Sequence, residues 1–268
     1  MGIQAVIFDM DGTVLDTLED LKNATNAAME AFGHPTLTLD QVRRYVGNGS
    51  RRLIELALGE GAEPAEIDRV LSWYVPWYDA HCRILTRPYP GILPLMERLR
   101  AAGLRQAIVS NKPDAAVKAL NADFFRGIPE LAVGERENEG IRRKPWPDMP
   151  DAVRRQMGLR CEDCVYVGDS EVDLKTAENA GLRCISVTWG FRSREQLLAA
   201  GAQTLVDTPE ELEEAKPAIG LLGGRVERVF DYEIPGTGIR HAVVVIRKIA
   251  ETPAKYPRPW AQIRKKPL

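Results

Sequence analysis

The feature that most constrains this chain is a set of short, unbroken apolar runs, each stopping abruptly at polar or acidic residues. Ala5-Val6-Ile7-Phe8 runs into Asp9, Gln106 to Val109 into Ser110-Asn111, and Val165-Tyr166-Val167 into Gly168-Asp169. Cys184 to Val187 ends in Thr188-Trp189-Gly190, and Leu131-Ala132-Val133 is a weaker run of the same kind. Apolar runs without polar alternation are strands buried on both faces. Separated by helical patterns, they predict a parallel sheet covered by helices. Helix punctuation agrees: Pro113 suits a first turn, the run from Gly91 to Ala102 is helical, and Gly103, Gly158 and Gly181 each follow a helical run. Ligands of such sheets bind beyond the carboxyl ends of the strands, where Asp9, Asp11, Ser110, Asn111 and Asp169 all fall.

Between the first two strands the pattern changes. Leu18, Leu21, Ala24 and Ala28 recur at helical spacing, and further helices are predicted at 50–58 and 64–81. A helical insert here would sit over the strand ends as a lid. Trp73, Tyr74, Trp77 and Tyr78 read foremost as the packing face of a helix, with pocket lining as the other reading. The expected fold is α/β: a Rossmann-like parallel sheet core (1–16 and 84–210), a helical cap inserted after the first strand (17–83), and a C-terminal extension (211–268). In that extension Val226 to Ile234 and His241 to Ile249 predict a β-hairpin around Pro235-Gly236-Thr237-Gly238, followed by an extended or disordered basic, proline-rich end.

Over 268 residues the net charge is −2, which offers no electrostatic case for nucleic acid or a membrane as the main partner. The balance is uneven, because residues 225–268 hold ten basic and four acidic side chains. Four scattered cysteines do not make a disulfide framework, and the lone Cys161-x-x-Cys164 pair lacks the second ligand pair zinc would need. The opening residues lack a signal-peptide pattern, no run approaches a membrane span, and a cytoplasmic location is expected.

The chemistry lies at the strand ends. Asp9-Met10-Asp11-Gly12-Thr13 sets two carboxylates two residues apart where a buried strand stops. Bunched carboxylates repel and need a cation or a proton between them. Magnesium suits them, being a hard ion that takes a few carboxylates, waters and phosphate oxygens. Asp169 adds a carboxylate from another strand end, with Asp173 one helical turn on. A solvated acidic turn and a helix N-cap would explain either motif alone, but not their joint placement.

Asp9 to Thr17 (DMDGTVLDT) resembles the first motif of the haloacid dehalogenase superfamily of phosphotransferases. Ser110-Asn111-Lys112 resembles its second motif, Lys144-Pro145 its third, and Gly168 to Asp173 (GDSEVD) its fourth, in the family's order over about residues 1–210. The resemblance implies that Asp9 is a nucleophile giving an aspartyl-phosphate, and that Asp11 is the general acid and then base, oriented by the Thr13 hydroxyl. It further implies that Thr13, Ser110 and the Asn111 backbone amide serve the phosphate, and that Lys144 offsets charge on the nucleophile and phosphoryl group. Mg²⁺ would sit between Asp9, the Asp11 carbonyl and Asp169, with Asp173 supporting. The aspartate pair favours phosphatases over metal-free dehalogenases. Lys22 is the only lysine of the insert and stands in no context suited to a phosphonate hydrolase's Schiff base.

Tyr45 to Gly49, followed by Ser50-Arg51-Arg52-Leu53, is similar to the lid segment of phosphoglycolate phosphatases. By that resemblance Gly49 lets the backbone approach the substrate, and Arg51 or Arg52 pairs with a carboxylate. The other reading of those arginines is a solvated helix face. A small phosphorylated metabolite, phosphoglycolate foremost, is the expected substrate; sugar phosphates, pyrophosphate and a phosphosugar mutase reaction stay open. Residues 211–268 are similar to the C-terminal end of the 16S ribosomal RNA guanine-N7 methyltransferases, but that family's glycine-rich cofactor loop is absent. No methyl transfer is expected. The basic tail reads as a solvated extension, with RNA or a ribosomal partner as the alternative.

Overall fold

The computed structural model describes residues 3–212, 224–233 and 240–248. Its centre is a six-stranded sheet of β1 (Ala5–Asp9), β4 (Arg105–Pro113), β5 (Leu131–Glu135), β6 (Cys164–Gly168), β7 (Arg183–Val187) and β8 (Leu205–Val206). The order is β5-β4-β1-β6-β7-β8, and every pairing is parallel. From β1 the chain fills one side of the sheet through β4 and β5, then crosses to fill the other through β6, β7 and β8. The reversal leaves a crevice at the carboxyl ends of β1 and β6, where open α/β sheets bind ligands.

The unbroken apolar runs give this sheet two buried faces. On one, Val6, Phe8, Ile108, Val165 and Val167 pack with Leu95 and Met96 of α5 (Ile92–Ala101) and with Val117 and Leu120 of α6 (Asp114–Phe125). On the other, Ala5, Ile7, Ala107, Val109 and Tyr166 meet Met149 and Val153 of α7 (Asp148–Gln156) and Ala177 of α8 (Glu171–Asn179). Each large side chain so buried contributes about 1.5–3 kcal/mol. Gly103, Gly158 and Gly181 follow α5, α7 and α8 in left-handed conformation, the helix-ending role their spacing predicts. A short α9 (Arg194–Ala199) precedes β8, an edge strand of two residues that carries too little apolar sequence to be read as one.

β4 runs past its apolar stretch. Ser110, Asn111 and Lys112 are buried and remain in the strand to Pro113, with a register irregularity against β5 between Val109 and Pro113. Polarity stops the sequence pattern there; burial under the neighbouring helices lets the strand continue.

The chain leaves the core at β2 (Leu15–Asp16) and returns beside it at β3 (Arg87–Pro88), which pair antiparallel. Between them lie α1 (Leu18–Ala31), α2 (Leu39–Tyr45), α3 (Gly49–Leu58) and α4 (Pro64–His81). The α1 face of Leu18, Leu21, Ala24 and Ala28 is buried as its spacing requires. α2 is absent from the sequence reading because Val42 is its one buried residue; its signature is the capping box of Thr38 and Gln41. Buried Asp20 of α1 accepts hydrogen bonds from the N–H groups of Leu85 (3.0 Å) and Thr86 (2.8 Å), fastening the returning chain to the departing one. Tyr74 and Tyr78 are buried and stack with ring centres 5.6 Å apart, and Trp73 and Trp77 stack at 6.2 Å. None of the four lines the pocket described below, so their packing role holds.

β9 (Gly224–Glu233) and β10 (Arg240–Lys248) form the expected antiparallel pair, each beginning slightly earlier than the sequence suggests. The turn around Pro235 to Gly238 and the basic stretch from 252 onward lie outside the described residues. No helix among the described residues is long and apolar enough to cross a membrane.

Candidate active site

A pocket opens at the crevice, lined on the core side by Asp9, Asp11, Ser110, Lys144 and Asp169, and on the insertion side by Leu21, Val46, Gly47, Gly49 and Leu53. Asp9 ends β1 and is buried; its Oδ1 lies 2.6 Å from Lys144 Nζ. The same ammonium lies 2.7 Å from Asp173 Oδ1. Oxygens of Asp9, Asp169 and Asp173 all fall within 4.8 Å of one another. Three buried carboxylates thus share one lysine.

Electrostatics follow from that imbalance. Burial, then the charge of Asp173, push the Asp9 carboxyl well above its ordinary range, against the pull of Lys144. Asp169 is pushed up to about 7, by burial first and Asp173 second, while its bond from the Phe191 N–H works the other way. Burial disfavours charge on Lys144, but Asp173 and Asp9 together hold its pKa above the usual lysine value. The cluster therefore keeps protons or takes a cation, and the cation is fixed as to kind by its donors. Asp169 accepts one bond at each oxygen, from Thr13 Oγ1 (3.3 Å) and the Phe191 N–H (2.7 Å), leaving lone pairs over on both. Buried carboxylate oxygens of this sort fit a hard divalent ion such as Mg²⁺.

Asp173 is differently placed. Its Oδ1 accepts from Lys144 and from Tyr166 Oη (3.0 Å), and its Oδ2 from Ser170 Oγ (2.5 Å) and the Ser170 N–H (3.2 Å). With its acceptor positions filled, it holds Lys144 and caps α8 rather than presenting a free oxygen. Asp169 sits in a slot between two glycines. A side chain on Gly12, whose φ is +83°, would bring Cβ within 2.3 Å of Asp169 Oδ2, and one on Gly190 would come within 2.4 Å.

Asp11 stands at the pocket edge. Its Oδ1 accepts from Thr17 Oγ1 (2.6 Å) and lies 3.0 Å from Lys112 Nζ, while its Oδ2 accepts from Ser110 Oγ (3.3 Å). This corrects the expected role of Thr13: its buried hydroxyl turns to Asp169, it does not line the pocket, and Thr17 orients Asp11 instead. Lys112 is buried, donates to Tyr78 Oη (2.5 Å) and lies 4.5 Å from that ring's centre. The Asn111 side chain ties strand β4 to Lys144, accepting from its N–H at 2.6 Å, and to the insertion, donating to the Gly47 carbonyl at 2.9 Å.

Residues 3–181 match the haloacid dehalogenase-like hydrolases. The chain belongs to that family. Relatives of this hydrolase include a phosphoglycolate phosphatase of Rhodobacter capsulatus, 36% identical over 70% of this chain and 85% of the relative. An N-acetylmuramic acid 6-phosphate phosphatase of Pseudomonas aeruginosa is 31% identical over 79% and 94% of the two chains. Among solved structures, a candidate phosphoglycolate phosphatase from Lactobacillus delbrueckii superposes with a TM-score of 0.77 at 41% identity, covering 80% of this chain and 98% of the other.

The structure thus gathers Asp9, Asp11, Ser110, Asn111, Lys144 and Asp169 of this hydrolase at one pocket, with Gly49 on the opposite wall. It does not bring Arg51 and Arg52 there. Arg51 pairs with Asp68 (2.5 Å) and Glu55 (3.5 Å), and Arg52 with Glu55 (3.0 Å), on the outer face of the insertion. Only Leu53 and Ile54 of α3 are buried, so the helix phase turns both guanidiniums outward. Three residues that the site uses, Lys112 and Arg192 in the pocket lining and Thr17 behind Asp11, received no role in the sequence reading. Thr17 and Lys112 lie inside the first and second motifs, where a role was legible in principle; Arg192 sits in a loop with no local signal.

Proposed function

We propose that this hydrolase cleaves small phosphomonoesters through a phosphorylated Asp9. The observation that carries the reading is the Asp9–Lys144–Asp173 arrangement beside Asp169, which sets a carboxylate oxygen against a fixed ammonium in a buried pocket. Asp9 attacks phosphorus, the ester oxygen departs with a proton from Asp11, and Asp11 then takes a proton from the water that hydrolyses the aspartyl-phosphate. Thr17 holds the Asp11 carboxyl for both transfers. Ser110 and the Asn111 amide hold phosphoryl oxygens, and Lys144 keeps Asp9 in place while opposing charge on the phosphoryl group. Asp9, the Asp11 carbonyl and Asp169 would hold Mg²⁺, which would supply charge stabilisation to the transferring group.

Phosphoglycolate is the substrate this reading favours, by the lid resemblance and by the relatives' activity. With Arg51 and Arg52 turned away, Lys112 is the pocket cation next to Asp11 that meets a second anionic group. The N-acetylmuramic acid 6-phosphate phosphatase among the relatives supports a sugar phosphate as the second reading. Phosphate release from phosphoglycolate and from hexose 6-phosphates, with and without chelator, tests both. Asp9→Asn is expected to lower kcat by at least about 10⁴-fold. Retained turnover in the mutant or after chelation sinks the mechanism, and equal kcat/KM for the two esters sinks the substrate assignment.

A further inference from the structure

The segment of the insertion that ends α2 and reaches α3 turns a row of backbone carbonyls toward the core. Arg43 O accepts from Arg192 Nη1 at 2.8 Å and Val46 O from Arg192 Nη2 at 3.0 Å. Gly47 O accepts from Asn111 at 2.9 Å, and Asn48 O from Arg143 Nη1 at 3.3 Å. The last carbonyls of a helix have no partner within it, and a cation placed there also meets the negative end of the helix dipole. The three donors come from three separate parts of the core, the end of β4 and two loops. Each is the chain neighbour of a site group: Asn111 follows Ser110, Arg143 precedes Lys144, and Arg192 follows Phe191, whose N–H holds Asp169.

Arg192 is the main element of this row. It is buried, only 8% exposed, and its Nε and Nη2 form a two-pronged pair with Glu171 at the start of α8, at 2.9 and 3.2 Å. Glu171 thus fixes the guanidinium plane while the remaining donors reach across to the insertion. Although Arg192 lines the pocket, four of its five N–H donors are taken, so it has no free two-pronged face for a substrate carboxylate. We propose that Arg192 is a positioning residue that latches the 43–48 segment onto the core, closing the insertion over the pocket and tying that closure to the placement of Asp169.

The proposal deepens the phosphatase reading and rests on it for its kinetic consequence. A small ester enclosed between core and insertion depends on the latch, whereas p-nitrophenyl phosphate, whose leaving group departs without needing a proton, depends less on enclosure. Arg192→Ala is therefore expected to lower kcat/KM for phosphoglycolate on the order of ten- to a hundred-fold, the scale of one charge-assisted hydrogen bond. The loss should fall mainly in KM and be several-fold smaller for p-nitrophenyl phosphate. Arg192→Lys, which keeps the charge but not the fork, should recover only part of it.

Hydrogen exchange on the full chain supplies a readout that needs no turnover. In Arg192→Ala, peptides covering 43–49 should exchange about tenfold faster while β1 peptides stay unchanged. Unchanged exchange in 43–49, or equal acceleration of β1, overturns the latch. If Arg192→Ala fails to fold, Glu171→Gln decides, with a smaller rise confined to 43–49 expected and no rise overturning the proposal. A wild type inactive on both esters would sink the phosphatase reading and leave the exchange result to judge the latch alone.

Discussion

The two walls of the pocket are built from different materials. On the core side, side chains carry the interactions: Asp9, Asp11, Asp169 and Lys144 each meet at least one charged or hydroxyl partner, and most are buried. On the insertion side, the groups facing the core are mainly apolar side chains and backbone carbonyls, joined by the Ser50 and Tyr78 hydroxyls, while the charged side chains of α3 point outward to Glu55 and Asp68. Buried charge demands fixed geometry, since an unpaired ion costs several kcal/mol. Backbone and apolar contacts tolerate change in the side chains around them. Under the proposed function, chemistry therefore belongs to the strand ends and selection among esters to the helices above.

The largest effect that separates the walls is expected at Lys144. Lys144→Met leaves Asp9 and Asp173 facing each other without a cation. It should lower kcat about 10²–10³-fold and, at neutral pH, destabilise the metal-free protein by about 3–5 kcal/mol in urea titration. The stability loss should shrink on acidification, as carboxyls take up protons in place of the lysine. A variant as stable as wild type at neutral pH would show that the cluster is neutralised by other means.

The pH dependence of the metal-free protein comes next in size. In the folded chain Asp169 titrates at about 7, above the ordinary carboxylate value of 3.8, and Asp9 is raised in the same direction. A folded pKa above the unfolded one gives stability that is present at low pH and lost as pH rises through the folded value. In thermal melts these two carboxyls should thus lower Tm as pH rises from about 5 to about 8, and Mg²⁺ should restore more at the upper end. A Mg²⁺-induced rise in Tm that is the same at both ends would break the link between the proton and metal sites.

The smallest effect is expected at Arg51 and Arg52. Their ion pairs are exposed, and such pairs are worth about 0–1 kcal/mol. The double change to Ala should alter kcat/KM for phosphoglycolate less than about twofold. A tenfold rise in KM would return these arginines to the substrate and erase the contrast between the walls.

Sequence reading served the two walls unequally for the same physical reason. The core strands are buried on both faces, so their apolar runs stand out, and the polar residues that end them fall in the crevice by the topology of a parallel sheet. The exact boundaries of α4 were legible from Pro64 and the apolar spacing behind it. Long-range pairing was not. Thr13 and Thr17 carry the same hydroxyl near the same carboxylates, and only the folded turn sends one to Asp169 and the other to Asp11. Arg192 meets Arg43 and Val46 across nearly 150 positions, a separation over which no periodicity operates. The direction of Arg51 and Arg52 depends on the phase of α3, which Leu53 and Ile54 set only once the helix is packed.

The stem of β2 and β3, with Asp20 bonded to the chain on its return, gives the insertion the standing of a parenthesis in a sentence. Because its two ends meet, the cost of bringing them together is met at the stem and varies only slowly with the length enclosed. Four helices can be lengthened, shortened or exchanged inside the brackets while the clause outside, from β1 to β4, still parses. A lineage built on this plan can change its repertoire of esters by rewriting the parenthesis and leave its verb untouched.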